Sequence, residues 1–206
     1  MRRALFALAF LLLPAVTAAQ PVRFEVTPFG GYRLKGDFDA RSRSPFDPNL
    51  NVKIDASPVY GVLLDIPLGA SGNWQLELLA NRQRSSFVVD RGLLEPTTEL
   101  GDVDLTMGQV GLLLQWGQGQ VNPFLTISGG LTRIEPRFRE LASDTRVSGS
   151  FGGGVKIFLS PNIGLRLEAR EYWTDLDTGF RDRYDRYGSG DGLYQAEGSV
   201  GLIIGF

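Results

Sequence analysis

From residue 193 to the end of the chain, every second side chain is small, aliphatic or aromatic. These are Tyr194, Ala196, Gly198, Val200, Leu202, Ile204 and Phe206, with Gln195, Glu197 and Ser199 between them. A period of two marks a strand whose successive side chains point to opposite faces, here one apolar and one polar. The same alternation recurs over 22–35, 57–67, 73–89, 103–116, 122–135, 145–160 and 163–174, which predicts eight strands in all. The intervals alternate in length. Residues 68–72, 117–121 and 161–162 are tight connections rich in Gly, Pro, Ser and Asn, whereas 36–56, 90–102, 136–144 and 175–192 are long and polar. An even strand count with short turns at one end and long loops at the other predicts an all-β, eight-stranded antiparallel up-and-down barrel, both termini at the short-turn end.

Parity also assigns the two faces. One collects Val26, Leu34, Val62, Leu64, Ile66, Leu76, Leu78, Val110, Leu112, Leu114, Ile127, Phe151, Leu165 and Leu167. The other collects Arg23, Glu25, Arg33, Asp65, Glu77, Lys156, Arg166, Glu168, Arg170 and Glu197, with both signs in comparable numbers. Aromatic residues gather at strand ends: Phe24, Trp74, Trp116, Phe124 and Phe206 by the short turns, Tyr32, Tyr60, Trp173 and Tyr194 by the long loops. Two such girdles belong at the two interfaces of a bilayer, so the apolar face is expected to meet lipid and the charged face to line the lumen. A soluble secreted barrel of lipocalin type would need the reverse, with aromatics buried and charges in water. The girdles, the one-sided long loops and the terminal Phe206 favour the membrane assignment.

The start of the chain carries a separate signal. Arg2 and Arg3 precede an apolar run over 4–16, which gives way to Thr17, Ala18 and Ala19. Charge, then an apolar stretch, then small side chains is the order of a secretory signal peptide, and the run is too short for a permanent membrane helix of about 20 residues. Residues 1–19 are expected to be removed, by cleavage after Ala19 or alternatively Ala18, leaving 20–206 as one barrel domain.

Composition narrows function by exclusion. The formal charge is −2, and losing Arg2 and Arg3 takes it to −4, so no basic field is on offer for nucleic acid. Cysteine is absent, so stability cannot rest on disulfides. Histidine is absent too, which removes the usual general base near neutral pH and the commonest transition-metal ligand. The expectation is a protein without catalytic residues, cofactor or metal.

Four constellations invite a functional reading. Arg166, Glu168 and Arg170 share one face of the seventh strand, beside Glu197 and opposite Glu77 and Asp65. Eight strands enclose an interior just wide enough for side chains, so these charges are expected to form an ion network that plugs the lumen rather than a gate or proton path. The carboxylate pairs Asp102 with Asp104 and Asp175 with Asp177 lie at loop junctions, where Asp ordinarily caps turns. The glycines of 149–156 lack the Ser or Thr that follows the lysine of a phosphate loop, and a strand continues where that motif needs a helix. The last long loop interleaves Arg181, Arg183, Tyr184, Arg186 and Tyr187 with aspartates, and Tyr and Arg are favoured contact residues for a protein or glycan ligand.

The alternating strands, the loop asymmetry, the girdles and the terminal Gly205-Phe206 resemble the small outer-membrane β-barrel families related to the transmembrane domain of OmpA, to OmpX and to the opacity-type proteins. The resemblance covers everything after the signal. It implies the cell outer membrane, contact with its lipid and lipopolysaccharide, and recognition of the terminal Phe206 by the barrel-assembly machinery. The deacylase, palmitoyltransferase and protease barrels of that membrane use a histidine, so their motifs cannot be carried onto this chain. With Phe206 as last residue, no peptidoglycan-binding domain is expected. The resulting expectation is a non-enzymatic surface scaffold, structural or adhesive, that presents four extracellular loops. The alternative is a narrow channel for small or hydrophobic solutes, similar to OmpW-type barrels and lined by Phe29, Leu79, Leu113 and Phe158.

Phe206→Asp is expected to lower the amount of protein in the outer membrane and raise its periplasmic degradation, measured by fractionation and immunoblotting. Normal abundance of that variant would remove any role for the terminal aromatic in assembly.

Overall fold

A computed structural model describes residues 24–34, 37–38, 51–69, 71–90, 98–117, 119–137, 143–175 and 192–206. The signal segment 1–19 lies outside them, as do Asp177, Arg181, Arg183, Tyr184, Arg186 and Tyr187. All regular structure among the described residues is strand: β1 Glu25–Arg33, β2 Asp37–Phe38, β3 Asn51–Ile54, β4 Ser57–Leu68, β5 Trp74–Asp90, β6 Thr98–Gln115, β7 Val121–Pro136, β8 Asp144–Ser160, β9 Ile163–Asp175 and β10 Gly192–Gly205. Eight of these pair in sequence order, each antiparallel to the last, and β1 returns to β10 from Glu25 opposite Gly205 to Arg33 opposite Glu197. The sheet is therefore a closed eight-stranded barrel. Closure leaves no strand edge, the condition for a sheet whose backbone groups have no water to turn to.

The predicted eight strands correspond to β1 and β4–β10, but two features differ from expectation. The first long interval contains β2, which pairs with β10, and β3, which pairs with β5. Segments of two and four residues are too short for periodicity to reveal. In addition, β5 and β6 pair as far as Val89 opposite Thr98, across a register shift after Phe87. The bulge breaks the alternation on which the strand end was read.

The short turns sit together at one end. In the β4–β5 turn, Gly69 and Gly72 hold φ of 77° and 64°, conformations open to glycine without steric cost. At the same end Phe206 stacks on Phe24 with ring centroids 5.0 Å apart, and the Phe206 N–H donates to the Phe24 carbonyl at 3.0 Å.

The outer wall is apolar. Leu125, Ile127 and Phe151 expose 56%, 66% and 64% of their surface, on adjacent strands β7 and β8. A contiguous band of this kind is foreign to a soluble monomer and matches a lipid-facing surface. The polar parity turns inward, where Arg33, Asp65, Glu77, Lys156, Arg166, Glu168, Arg170 and Glu197 are buried. That arrangement is the opposite of a lipocalin. Phe124 is a correction to the girdle: it shares the inward parity of Asn122 and Thr126 and is buried in the lumen. Its nearness to a strand end suggested the interface, but parity decides.

Leu167→Arg, which puts a guanidinium on the lipid face, is expected to cost about 2–4 kcal/mol in urea-dependent folding into vesicles if the site lies near the midplane. No loss of stability would show that the outward face does not meet hydrocarbon.

Candidate functional site

The lumen near the short turns is filled by one continuous set of ion pairs. Lys156 on β8 reaches across to Glu25 and Asp65 at 2.6 and 2.8 Å and donates to the Gln75 Oε1 at 2.8 Å. Arg166 on β9 is shared among three carboxylates: Nη1 to Asp65 at 2.8 Å, Nη2 to Glu77 at 2.6 Å and Nε to Glu168 at 2.9 Å. Two residues further along the same face, Arg170 donates Nε to Glu168 at 2.7 Å and Nη2 to Glu77 at 2.8 Å. Thr126 gives Glu77 a further hydrogen bond at 2.9 Å, and Ser128 and Ser150 accept from Arg170 Nη1 at 3.3 and 3.4 Å. The Arg166 guanidinium also lies over the Phe124 ring, 4.4 Å from its centroid.

These long side chains fit because β8 is stripped to glycine opposite them. Gly152 faces Arg170 and Gly154 faces Glu168 across the β8–β9 ladder. A Cβ on Gly154 would come within 2.0 Å of the Leu167 carbonyl oxygen, so no larger residue fits without parting the strands.

Above this layer the lumen changes character. Phe29, Leu63, Leu79, Met107 and Tyr172 form a buried apolar cluster. Beyond it, Arg33 donates Nε and Nη2 to Glu197 at 3.0 and 2.6 Å and Nη1 to Gln83 at 3.1 Å, while its guanidinium rests 4.0 Å above the Tyr172 ring. At the long-loop mouth a second apolar cluster, Ile54, Val103, Leu105 and Leu193, is buried against partly buried Ile134. Ile54 belongs to β3, which continues the line of β4 alongside β5, so part of the first long interval extends the barrel wall and turns Ile54 inward.

The structure thus brings Glu77, Arg166, Glu168 and Arg170 together and sets Glu197 apart. Glu197 stands opposite Arg170 in the β9–β10 register, yet its carboxylate takes Arg33 of β1, also opposite, while Arg170 turns toward the short-turn end. Lys156 and Arg33 complete the ion pairing and were visible in the sequence only as residues of the inward face. The level at which inward residues meet depends on strand stagger, which alternation does not encode. Phe29, Leu79 and Leu113 are buried, and Phe158, also on the inward parity, is half-buried. Asp102 and Asp104 lie within β6 rather than at a loop junction, and Asp104 is bound by Arg82 at 2.8 Å and by Arg137 Nε at 2.9 Å. The glycine-rich stretch is strand β8, with Lys156 turned inward. No group of acidic residues that could hold a metal occurs among the described residues.

Chemically, the lumen is an interior of compensated charge. Desolvating an ion costs several kcal/mol, which a partner repays only with good geometry and further hydrogen bonds. Here each cation makes at least two such contacts.

The family model of the outer membrane protein beta-barrel domain matches residues 5–202. No curated protein sequence matches the chain. Among solved structures, the crystal structure of Neisserial surface protein A is similar over 89% of this chain and 97% of its own, with TM-score 0.58 and 14% identity. The outer membrane protein OprG from Pseudomonas aeruginosa is similar over 91% and 96%, with TM-score 0.53 and 11% identity. The outer membrane protein AlkL, solved in lipid bilayers, is similar over 94% of each chain, with TM-score 0.52 and 13% identity. At these identities the likeness is one of fold.

Arg166→Met removes the cation shared by Asp65, Glu77 and Glu168 and is expected to cost about 3–5 kcal/mol of folding stability, read from the urea midpoint in detergent or vesicles. A loss below about 1 kcal/mol, the scale of a solvated pair, would mean that water reaches the cluster.

Proposed function

Because the chain belongs to the outer membrane protein beta-barrel domain family, we propose that this outer-membrane protein is a closed, non-enzymatic scaffold that presents its long loops to the cell exterior. The observation that carries the reading is the succession of ion network, apolar cluster, Arg33–Glu197 pair and apolar cap along the lumen. In this reading these layers together leave a solute no continuous path. A channel for small or hydrophobic solutes would need Phe29 and Leu79 to line free space, whereas both are packed into the central cluster.

In this reading residues 1–19 direct export and are removed, and the short turns face the periplasm. Phe206, at the end of β10 against Phe24, is the assembly signal. Glu77, Arg166, Glu168 and Arg170 hold the lumen shut, and Glu197 does so one level higher with Arg33. Function then resides in the loops. Arg181, Arg183, Tyr184, Arg186 and Tyr187 are the contact residues proposed for an extracellular protein or glycan, since rigid scaffolds carry recognition on their loops.

The purified protein in planar bilayers is expected to give no steady conductance. Replacing residues 180–187 by a Gly-Ser linker is expected to abolish surface adhesion while leaving heat-modifiable gel migration intact. Steady openings that shift with Glu197→Gln, together with adhesion that survives loop replacement, would overturn the scaffold reading in favour of a channel.

A further inference from the structure

The lipid-facing parity stops being apolar along one row near the long-loop end. Strand registers align Val62, Ala80, Gly108, Leu131 and Val147 side by side across β4–β8, all outward and exposed. Two residues further on, the same registers align Tyr60, Arg82, Thr106 and Arg133 across β4–β7, and Thr145 on β8 follows. Every member of this second row offers a hydroxyl or guanidinium donor, and none is a carboxylate.

The carboxylates lie one or two rows beyond. Asp104 takes Arg82 and Arg137 and approaches Arg84 at 3.6 Å, and Glu135 takes Arg133 at 2.7 Å. Asp102 accepts from Ser86 at 3.3 Å. Arg82, Arg84, Arg133 and Arg137 thus face Asp102, Asp104 and Glu135, which leaves the patch positive. Asp104 has only 4% of its side chain exposed, whereas Arg84 has 62% and Arg133 56%. A guanidinium has five donors, so one carboxylate contact leaves others for an anion.

Below the donor row the wall is shallow. A Cβ at Gly108 would meet nothing within 4 Å, and with Ala80 beside it the surface drops between Val62 and Leu131. The trough is roughly two strand spacings, about 10 Å, wide, enough for an acyl chain.

We propose that the outward face of β4–β8 at the long-loop end is a binding site for a phosphate-bearing lipid of the outer leaflet. Arg82, Thr106 and Arg133 take the phosphate, and Ala80 and Gly108 seat an acyl chain. An anion on a lipid approaches from the hydrocarbon side, where it meets the donor row before any carboxylate. Charge-assisted hydrogen bonds from planar guanidinium groups suit phosphate oxygens. The leaflet rests on the orientation given above; the chemistry does not.

The test is native mass spectrometry of the full-length mature protein in zwitterionic micelles doped with diphosphoryl lipid A, with its dephosphorylated form, or with inorganic phosphate. The diphosphoryl lipid is expected to be retained about tenfold over the dephosphorylated one, and Arg82→Gln with Arg133→Gln to erase that difference. Gly108→Leu, which fills the trough from an open position, is expected to lower retention of both lipids. Heat-modifiable migration checks that each variant is folded. Equal retention of the two lipids, unchanged retention by the double variant, or full displacement by equimolar inorganic phosphate would overturn the site. Protease cleavage of the loops on intact cells reads the orientation separately. Loops cut from outside without lipid discrimination would sink the lipid site alone, while protected loops with discrimination intact would sink the surface orientation alone.

Discussion

The structure depends on the pairing of β1 with β10. In hydrocarbon no water can take an orphaned N–H or C=O, so a sheet survives there only if its first and last strands meet and every backbone group finds a partner in the wall. Here the meeting runs from Glu25 opposite Gly205 to Arg33 opposite Glu197 and is sealed at the short-turn end by the Phe24–Phe206 stack. Closure at eight strands then fixes the bore. An eight-stranded interior is just wide enough for side chains, so the filling of the lumen follows from the closing of the wall.

The filling is charged rather than apolar, which requires a physical reason. A hydrophobic lumen would avoid the desolvation cost of Arg166, Arg170 and Lys156, and buried ion pairs replaced by well-packed apolar groups often leave stability unchanged or higher. Yet a strand with both faces apolar has no preferred register in lipid, since a slip by one residue exchanges equivalent sides. With Arg166, Glu168 and Arg170 on β9, the same slip would carry three ions into hydrocarbon and their apolar neighbours into the network. The ion pairs thus specify which face is inside. Above them Phe29, Leu63, Leu79, Met107 and Tyr172 fill one side of the lumen, while Ser128, Ser150, Gln109 and Ser148 continue the hydrogen-bonded polar side from Arg170.

The wall is legible in the sequence because a membrane strand keeps a period of two along its length except at its bulges. Leu165 and Leu167 against Arg166 and Glu168 are enough to fix the facing of β9. What the sequence does not encode is height. Glu197 stands in register with both Arg33 and Arg170, yet it pairs with Arg33, while the Arg170 side chain runs toward the short-turn end to Glu77 and Glu168. Phe124 lies close to a strand end, as a girdle residue would, but its parity places it in the lumen. The short strands β2 and β3 lack the length to show a period, and Arg82 and Thr106 became informative only once their registers aligned them. The contact residues of the last long loop were legible only as composition.

The central claim is that the lumen holds its charges in contact, away from water. The chain has no cysteine, so single thiols introduced at small inward positions report accessibility without background. Ser128→Cys and Ser150→Cys, placed beside Arg170 in vesicle-embedded protein, should resist a small water-soluble maleimide until the barrel is denatured, while Ile127→Cys should be quenched by lipid-borne spin labels. Rapid maleimide labelling of Cys at 128 or 150 in the folded protein would contradict the account, because it would mean that the interior is a water-filled passage.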